Sequence, residues 1–109
     1  MEEIMNEIHF SPEALNDLVK IKEYIEEDLL NPSAAVETIK KITKSLRILE
    51  TFPHSGPLLS SIADVNSDYR FVISGNYISF YRVNNDEVYV DRILYSHRDY
   101  IRILFGDNV

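Results

Sequence analysis

Cysteine is absent from the 109 residues of this chain, and histidine occurs only three times. The absence of cysteine excludes a disulfide framework, a thiolate metal site and a cysteine nucleophile. The three histidines lie far apart in the sequence, so the sequence predicts no metal site and gives no indication of a cofactor. The first residues, MEEIMNEI, are acidic, and no long apolar run follows them. We therefore expect neither a signal peptide nor a membrane span, no membrane partner, and a cytoplasmic location.

Basic residues are also scarce, and they are unevenly distributed. The formal net charge is −7, from 11 lysine and arginine residues against 18 aspartate and glutamate residues. Most of the acidic excess lies in residues 1–67, whereas residues 68–109 carry five arginines and no lysine. This charge predicts little direct binding of free nucleic acid, because such binding usually depends on a cationic surface. The length predicts one domain over residues 1–109.

Residues 68–95 predict a three-stranded antiparallel meander. Gly75-Asn76 separates two apolar-rich runs and suits the tight turn of a hairpin. In the resulting register, Ser74 faces Tyr77 and Arg70 faces Tyr81, and residues two apart share a face. One face is expected to be the core face, with Phe71, Ile73, Ile78 and Phe80. The other face is polar and aromatic, with Arg70, Val72, Tyr77, Ser79 and Tyr81.

The third strand of the meander is expected to pair Phe80 with Val90, through a three-residue loop at 84–86. This register keeps the charge of Asp91 away from the core. It places Arg92 on the core face, where the guanidinium needs a carboxylate partner or a path to solvent. The same register adds a further set to the Arg70 face: Tyr89, Asp91, Ile93 and Tyr95.

A first strand at residues 4–10 and two helices are expected before the meander. Ser11-Pro12 and Asn31-Pro32 each combine a good N-cap with proline at the first helical position. Apolar residues recur at helical spacing after each start, and Asp17 is assigned to the solvated face of the first helix. Residues 53–67 predict a loop, and the pattern Ser96-His97-Arg98-Asp99 predicts the start of a short last helix that ends at Gly106. The fold class is therefore α+β, with a helical hairpin packed on one face of the sheet.

Three phrases of this sequence carry a family resemblance. The segments FPHSGP, YRFVISGNYISFYRV and VDRILYSHRDYIRILF resemble the RelE/ParE superfamily of toxins from type II toxin-antitoxin systems. The resemblance covers nearly the whole chain in order. It implies the RelE-like fold, with an N-terminal strand, a helical hairpin, the meander and a short C-terminal helix. It also implies a cognate antitoxin as partner.

The target of the toxin divides the superfamily. ParE-type toxins inhibit DNA gyrase by binding, whereas RelE-type toxins are metal-independent endonucleases that cleave mRNA on the ribosome. The phrasing of the three segments is closer to the ParE type, and residues 51–67 lack the lysines of RelE-type enzymes. A gyrase-directed toxin is therefore the leading hypothesis. An mRNA endonuclease is the second, and an inactive relative that binds an antitoxin peptide by strand addition is the third.

The resemblance also suggests site residues. A nuclease would need cations at the scissile phosphate and a group that moves a proton; the candidates are Arg70, Arg92, His97, Arg98 and Tyr100. A partner-binding surface would use Arg70, Tyr77, Tyr81, Tyr89, Tyr95 and Arg98. Structural explanations stay open for some of them. Arg70 is expected to form a cross-strand pair with Tyr81, and Arg92 an ion pair with Asp68 or Asp91.

Overall fold

A four-stranded sheet forms the centre of the molecule in the computed structural model, which describes residues 7–106. The strands are β1 (Ile8–Phe10), β2 (Arg70–Ser74), β3 (Tyr77–Asn84) and β4 (Glu87–Tyr95). Their order across the sheet is β1-β4-β3-β2, with β1 parallel to β4 and the other pairs antiparallel. The expected N-terminal strand and meander are thus confirmed, while positions 4–6 of the expected first strand lie outside the described residues.

The two expected helices follow β1 and form the helical hairpin. Helix α1 (Pro12–Glu23) continues into a π-helical turn at Tyr24–Asp28, and α2 (Pro32–Leu46) continues into a 3₁₀ turn at Arg47–Glu50. Both predicted N-caps are confirmed, because Ser11 Oγ accepts from the Ala14 N–H at 2.9 Å and Asn31 Oδ1 from the Ala34 N–H at 3.1 Å. Within residues 7–106, no helix is long and apolar enough to cross a membrane.

The last helix, α3 (Tyr100–Phe105), begins later than predicted. Its N-cap is Asp99, whose Oδ1 accepts from the Arg102 N–H at 3.3 Å, so the assignment of Ser96 as N-cap is wrong. Ser96 instead donates its N–H to the Asn76 carbonyl at 2.7 Å and extends the end of the sheet. Gly106, with a φ of 81°, ends the helix as expected.

The register of β2 with β3 is the predicted one, with Ser74 opposite Tyr77 and Arg70 opposite Tyr81. The register of β3 with β4 differs from the prediction. Asn85 and Asp86 form a two-residue turn with φ angles of 52° and 64°, which matches the twist of a hairpin better than the expected three-residue loop. A β-bulge after Phe80 then restores the alternation. Phe80 consequently lies opposite Arg92, not Val90.

Both faces of the sheet are covered, which corrects the expected division into one core face and one polar face. The hairpin of α1 and α2 packs on the face that contains Tyr81, Val88 and Val90. The opposite face, with Phe71 and Phe80, is covered by α3 and by a 3₁₀ turn at Leu59–Ser61. That turn lies inside the predicted loop, and its Leu59 is fully buried. The face predicted to be polar is therefore the one that forms the larger core.

Candidate partner-binding surface

Arg70 holds the segment between α2 and β2 against the sheet. Its guanidinium Nη1 donates to the carbonyl of Gly56 at 2.7 Å and to that of His54 at 3.1 Å. The side chain is half-buried at the start of β2. Nη1 therefore donates to the protein's own backbone. These contacts support a structural role for this arginine.

Tyr81, opposite Arg70, is fully buried. Its hydroxyl accepts from the Gly56 N–H at 2.9 Å and donates to the Pro53 carbonyl at 2.9 Å. Burial raises the pKa of this phenol, although the Gly56 hydrogen bond and the Arg70 charge act in the opposite direction. Tyr81 presents no surface to a partner, so its place in the predicted partner-binding set is corrected. We name residues 53–59 together with Arg70 and Tyr81 the anchored loop region.

Arg92 forms a two-pronged ion pair with Asp17 of α1. Nε and Nη2 of Arg92 donate to the two carboxylate oxygens at 2.8 and 2.9 Å, and the backbone N–H of Ile93 donates to Oδ2 at 2.9 Å. The hydrogen bond to Asp17 raises the pKa of the guanidinium. Asp17 is only 6% exposed, so its assignment to the solvated face of the helix is wrong. The expected partners Asp68 and Asp91 are wrong as well, and Asp91 instead binds Arg82 and the hydroxyl of Tyr69.

A groove of about 530 Å³ opens between α1 and the end of the β3–β4 pair at which β3 begins and β4 ends. Tyr77 and Tyr95 lie opposite each other in its floor, with ring centroids 6.0 Å apart. Tyr24 and Leu29, at the π-helical turn, form its other wall, and both are about half exposed. Burial, and then the nearby phenols of Tyr24 and Tyr95, raise the pKa of Tyr77. We name this surface the tyrosine groove.

Arg98 and Lys20 are the basic residues that line the tyrosine groove, and the buried Asp17, which is paired with Arg92, also lines it. Arg98 is exposed, and within residues 7–106 its side chain has no recorded hydrogen-bond or ion-pair partner. His97 is also exposed, and its ring lies 5.1 Å from that of Tyr95. The groove therefore combines an apolar, aromatic floor with an available guanidinium, a composition typical of protein-binding sites.

The remaining candidate residues lie elsewhere. Tyr89, near the start of β4, stacks on His9 at 4.9 Å and donates its hydroxyl to Glu87. Tyr100 packs its ring 5.2 Å from that of Phe80, on the face of the sheet opposite to Arg70 and Tyr81. The residues proposed from the resemblance therefore do not form one site. Within residues 7–106 most of the others divide between two regions: Tyr77, Tyr95, His97 and Arg98 lie at one end of the β3–β4 pair, and Arg70 lies with the buried Tyr81 in the anchored loop region.

Sequence reasoning missed the wall of the groove that the first helix provides. Nothing in the sequence marks Tyr24 as a surface residue, and Leu29 continues the helical spacing of the apolar residues although it is 55% exposed. The signal that could have identified them is the sequence YIEEDLLN, where the apolar spacing shifts just before Asn31. Tyr24 begins the π-helical turn and Leu29 is its C-cap, and both side chains lie outside the core of the helical hairpin.

The fold places the chain among small α+β proteins of the RelE/ParE type. The chromosomal ParDE toxin-antitoxin system from P. aeruginosa has a chain of similar structure, with a TM-score of 0.71, 19% identity, and coverage of 85% of this chain and 98% of that one. The RelBE2 toxin-antitoxin complex from Mycobacterium tuberculosis is more distant, with a TM-score of 0.54, 16% identity, and coverage of 86% and 94%. No curated protein matches the sequence.

The particular family follows from the sequence. The profile of the family described as the ParE toxin of type II toxin-antitoxin systems, parDE, matches residues 8–100. The chain therefore belongs to this family, and it is the toxin of a type II toxin-antitoxin system. The expected RelE/ParE membership and the expected fold are confirmed.

Proposed function

We propose that this ParE-family toxin arrests growth by binding DNA gyrase in the cytoplasm, without cleaving RNA. The observation that carries the proposal is the separation of the residues that a nuclease would need. Arg70 is the first residue of β2. Arg98 follows the end of β4, which lies at the same end of the sheet as the last residue of β2. The two ends of β2 are four residue steps of about 3.3 Å apart, or roughly 13 Å along the strand. Tyr100 lies on the opposite face from Arg70.

The engagement of two arginines also supports a binding protein. A cation that stabilises a scissile phosphate must be available where the charge develops. Arg92 is held by the buried carboxylate of Asp17, and Arg70 donates to two loop carbonyls. Both guanidinium groups therefore have acceptors within the described part of the chain.

An antitoxin segment is proposed to occupy the tyrosine groove. Both similar structures are toxin-antitoxin systems by their descriptions. The apolar, aromatic floor of the groove suits a helix with an apolar face. Arg98 and Lys20 at the rim favour an acidic side chain on that helix. Such a segment would cover Tyr77 and Tyr95 and neutralise the toxin.

The test uses the purified full chain in two assays run side by side. Supercoiling of relaxed plasmid by gyrase should fall as the chain is added, and addition of the cognate antitoxin should restore it. In the second assay, translating ribosomes should show no new mRNA ends. Cleavage at fixed positions within codons would instead establish an mRNA endonuclease, and gyrase unaffected by an excess of folded chain would contradict the proposal.

A variant distinguishes the two mechanisms further. Arg70→Lys keeps the charge but changes the two hydrogen bonds to the loop carbonyls, so we expect inhibition of gyrase to persist at a temperature where the variant is folded. An endonuclease that uses Arg70 at the phosphate would lose most of its cleavage rate in the same variant.

A further inference from the structure

Three potential metal ligands meet at the edge of the sheet that lies far from the tyrosine groove. Glu7 precedes β1, His9 lies within it, and Glu87 begins β4. One ligand atom from each of these residues lies within 4.8 Å of the other two. Glu87 follows Glu7 and His9 by 78 or more positions in the sequence. The parallel pairing of β1 with β4 brings these three residues together.

The strand register explains why these side chains share one face. Ile8 pairs with Val88 and His9 with Tyr89, and the apolar members point into the core beneath the helical hairpin. Because successive side chains in a strand alternate, His9 and Tyr89 point away from that core, as do the flanking Glu7 and Glu87. The backbone joins the strands at the same point, where the Val88 N–H donates to the Glu7 carbonyl at 3.0 Å.

The imidazole of His9 is positioned but not satisfied. Its Nε2 atom is buried and has no hydrogen-bond partner among the described residues, although the side chain as a whole is 39% exposed. It lies 3.5 Å from a carboxylate oxygen of Glu87 and 3.7 Å from one of Glu7. Both separations exceed the roughly 3.2 Å upper end of an N–H···O hydrogen bond. A buried ring nitrogen without a partner normally costs stability, so its direction toward two carboxylates calls for a ligand.

We propose that Glu7, His9 and Glu87 bind a divalent first-row transition metal ion, with zinc as the best fit. Zinc takes one imidazole nitrogen and carboxylate oxygens at about 2.0–2.2 Å, and tetrahedral ligands at such distances are about 3.4 Å from one another. The separations of 3.5 and 3.7 Å from Nε2 lie close to that value. Two carboxylates balance the ion's charge while the imidazole is neutral, and the fourth position is left to solvent.

Neighbouring groups already orient two of the ligands. Tyr89 stacks on the His9 ring with an interplanar angle of 18° and donates its hydroxyl to Glu87 Oε2 at 2.8 Å. A carboxylate oxygen has a second lone pair, so this hydrogen bond leaves Glu87 able to bind a metal. Such outer partners are typical of protein metal sites.

The ion would tie the short edge strand to the sheet. Strand β1 has only three residues and pairs with one neighbour. A metal that joins Glu7 and His9 to Glu87 adds a link across this pair that is absent from the unfolded chain, so binding free energy becomes folding stability. The proposed role is structural, and it is independent of the toxin's target.

The test is titration of zinc, and of cobalt as a spectroscopic probe, into the untagged, metal-stripped full chain. We expect one ion per chain, X-ray absorption showing one imidazole and oxygen donors, and a Tm that rises with free zinc, by roughly 10 °C at a hundredfold excess over Kd. His9→Gln and Glu87→Gln should each weaken binding at least tenfold. His97→Gln, which removes an exposed histidine at the other end of β4, should bind like the wild type.

Circular dichroism of the metal-free variants separates loss of the site from loss of the fold. If His9→Gln does not fold, Glu87→Gln decides the matter alone, because Glu87 is half-exposed and outside both core clusters. Undiminished binding by a folded Glu87→Gln variant, or the absence of a one-to-one complex at millimolar zinc, would overturn the proposal. In that case, His9 serves only as a stacking partner for Tyr89.

Discussion

The anchored loop region and the tyrosine groove lie at opposite ends of the β2–β3 hairpin and use similar residue types in opposite ways. At one end, Arg70 and Tyr81 direct their polar atoms to the backbone of residues 53–56. At the other end, Tyr95 and Arg98 are exposed and have no side-chain hydrogen bond recorded within residues 7–106.

This difference separates the residues that hold the fold from those that are available to a partner. A buried hydroxyl or guanidinium that loses its partner leaves an unsatisfied group, and the cost appears as lost stability. An exposed tyrosine or arginine can be truncated at little cost to the fold, and the effect appears in binding. Variants at the two ends should therefore fail in different assays.

The largest effect is expected for Gly56→Ala in the anchored loop region. A Cβ at this position would lie 2.5 Å from the Tyr81 hydroxyl and 2.7 Å from the Phe71 carbonyl, so the loop must move away from the sheet. We expect a loss of about 3 kcal/mol in the free energy of unfolding. Urea unfolding measures it, with Ser55→Ala on the exposed neighbouring residue as control. Equal stability of the two variants would mean that the loop is not held by Tyr81.

A smaller effect is expected for Tyr81→Phe. The substitution keeps the ring but leaves the buried Gly56 N–H without its acceptor. We expect the chain to lose about 2 kcal/mol in the free energy of unfolding. The matched control is Tyr95→Phe in the tyrosine groove, where a change within about 0.5 kcal/mol is expected because the side chain is exposed. A similar loss in both variants would remove the distinction between the two regions.

In the tyrosine groove, the effect is expected in binding. Arg98→Glu reverses the charge of an exposed rim residue, and we expect the Kd for the cognate antitoxin to rise at least tenfold, with the Tm unchanged within about 2 °C. Calorimetry and thermal unfolding measure the two quantities. Lys40→Glu on α2 is the control, because Lys40 is an exposed basic residue that does not line the groove. An unchanged Kd would place the antitoxin on another surface.

The smallest effect is a pH dependence of the Tyr81 contribution. Burial raises the pKa of Tyr81 above the 10.0 of an unfolded tyrosine, so the stabilisation is complete below pH 10 and is lost as the pH rises through the folded pKa. The stability difference between wild type and Tyr81→Phe should therefore be smaller at pH 11 than at pH 8. Urea unfolding at both values measures the difference, and a gap that widens with pH would contradict the assignment.

The sequence was informative wherever local chemistry decides the structure. Ser11-Pro12, Asn31-Pro32 and the Gly75-Asn76 turn act within a few residues, and each was predicted correctly. The register after Phe80 was wrong because a bulge can shift the alternation without any local signal. The faces of the sheet were interchanged for a related reason. Hydrophobic alternation does not tell which face receives the larger helical layer when both faces are covered.

The partners of the charged residues required the tertiary structure. Asp17 looks like a solvated acid in the sequence, and only the packing of α1 on β4 brings it to Arg92, 75 positions away. The same holds for His9 and Glu87. The β1–β4 pairing places Nε2 of His9 3.5 Å from Oε2 of Glu87. Family membership and the order of elements could be predicted from short phrases. Long-range contacts determine which arginines are held in ion pairs or hydrogen bonds and which remain available to a partner. The reason is that the interaction of two charges depends on their distance in space and not on their separation along the chain.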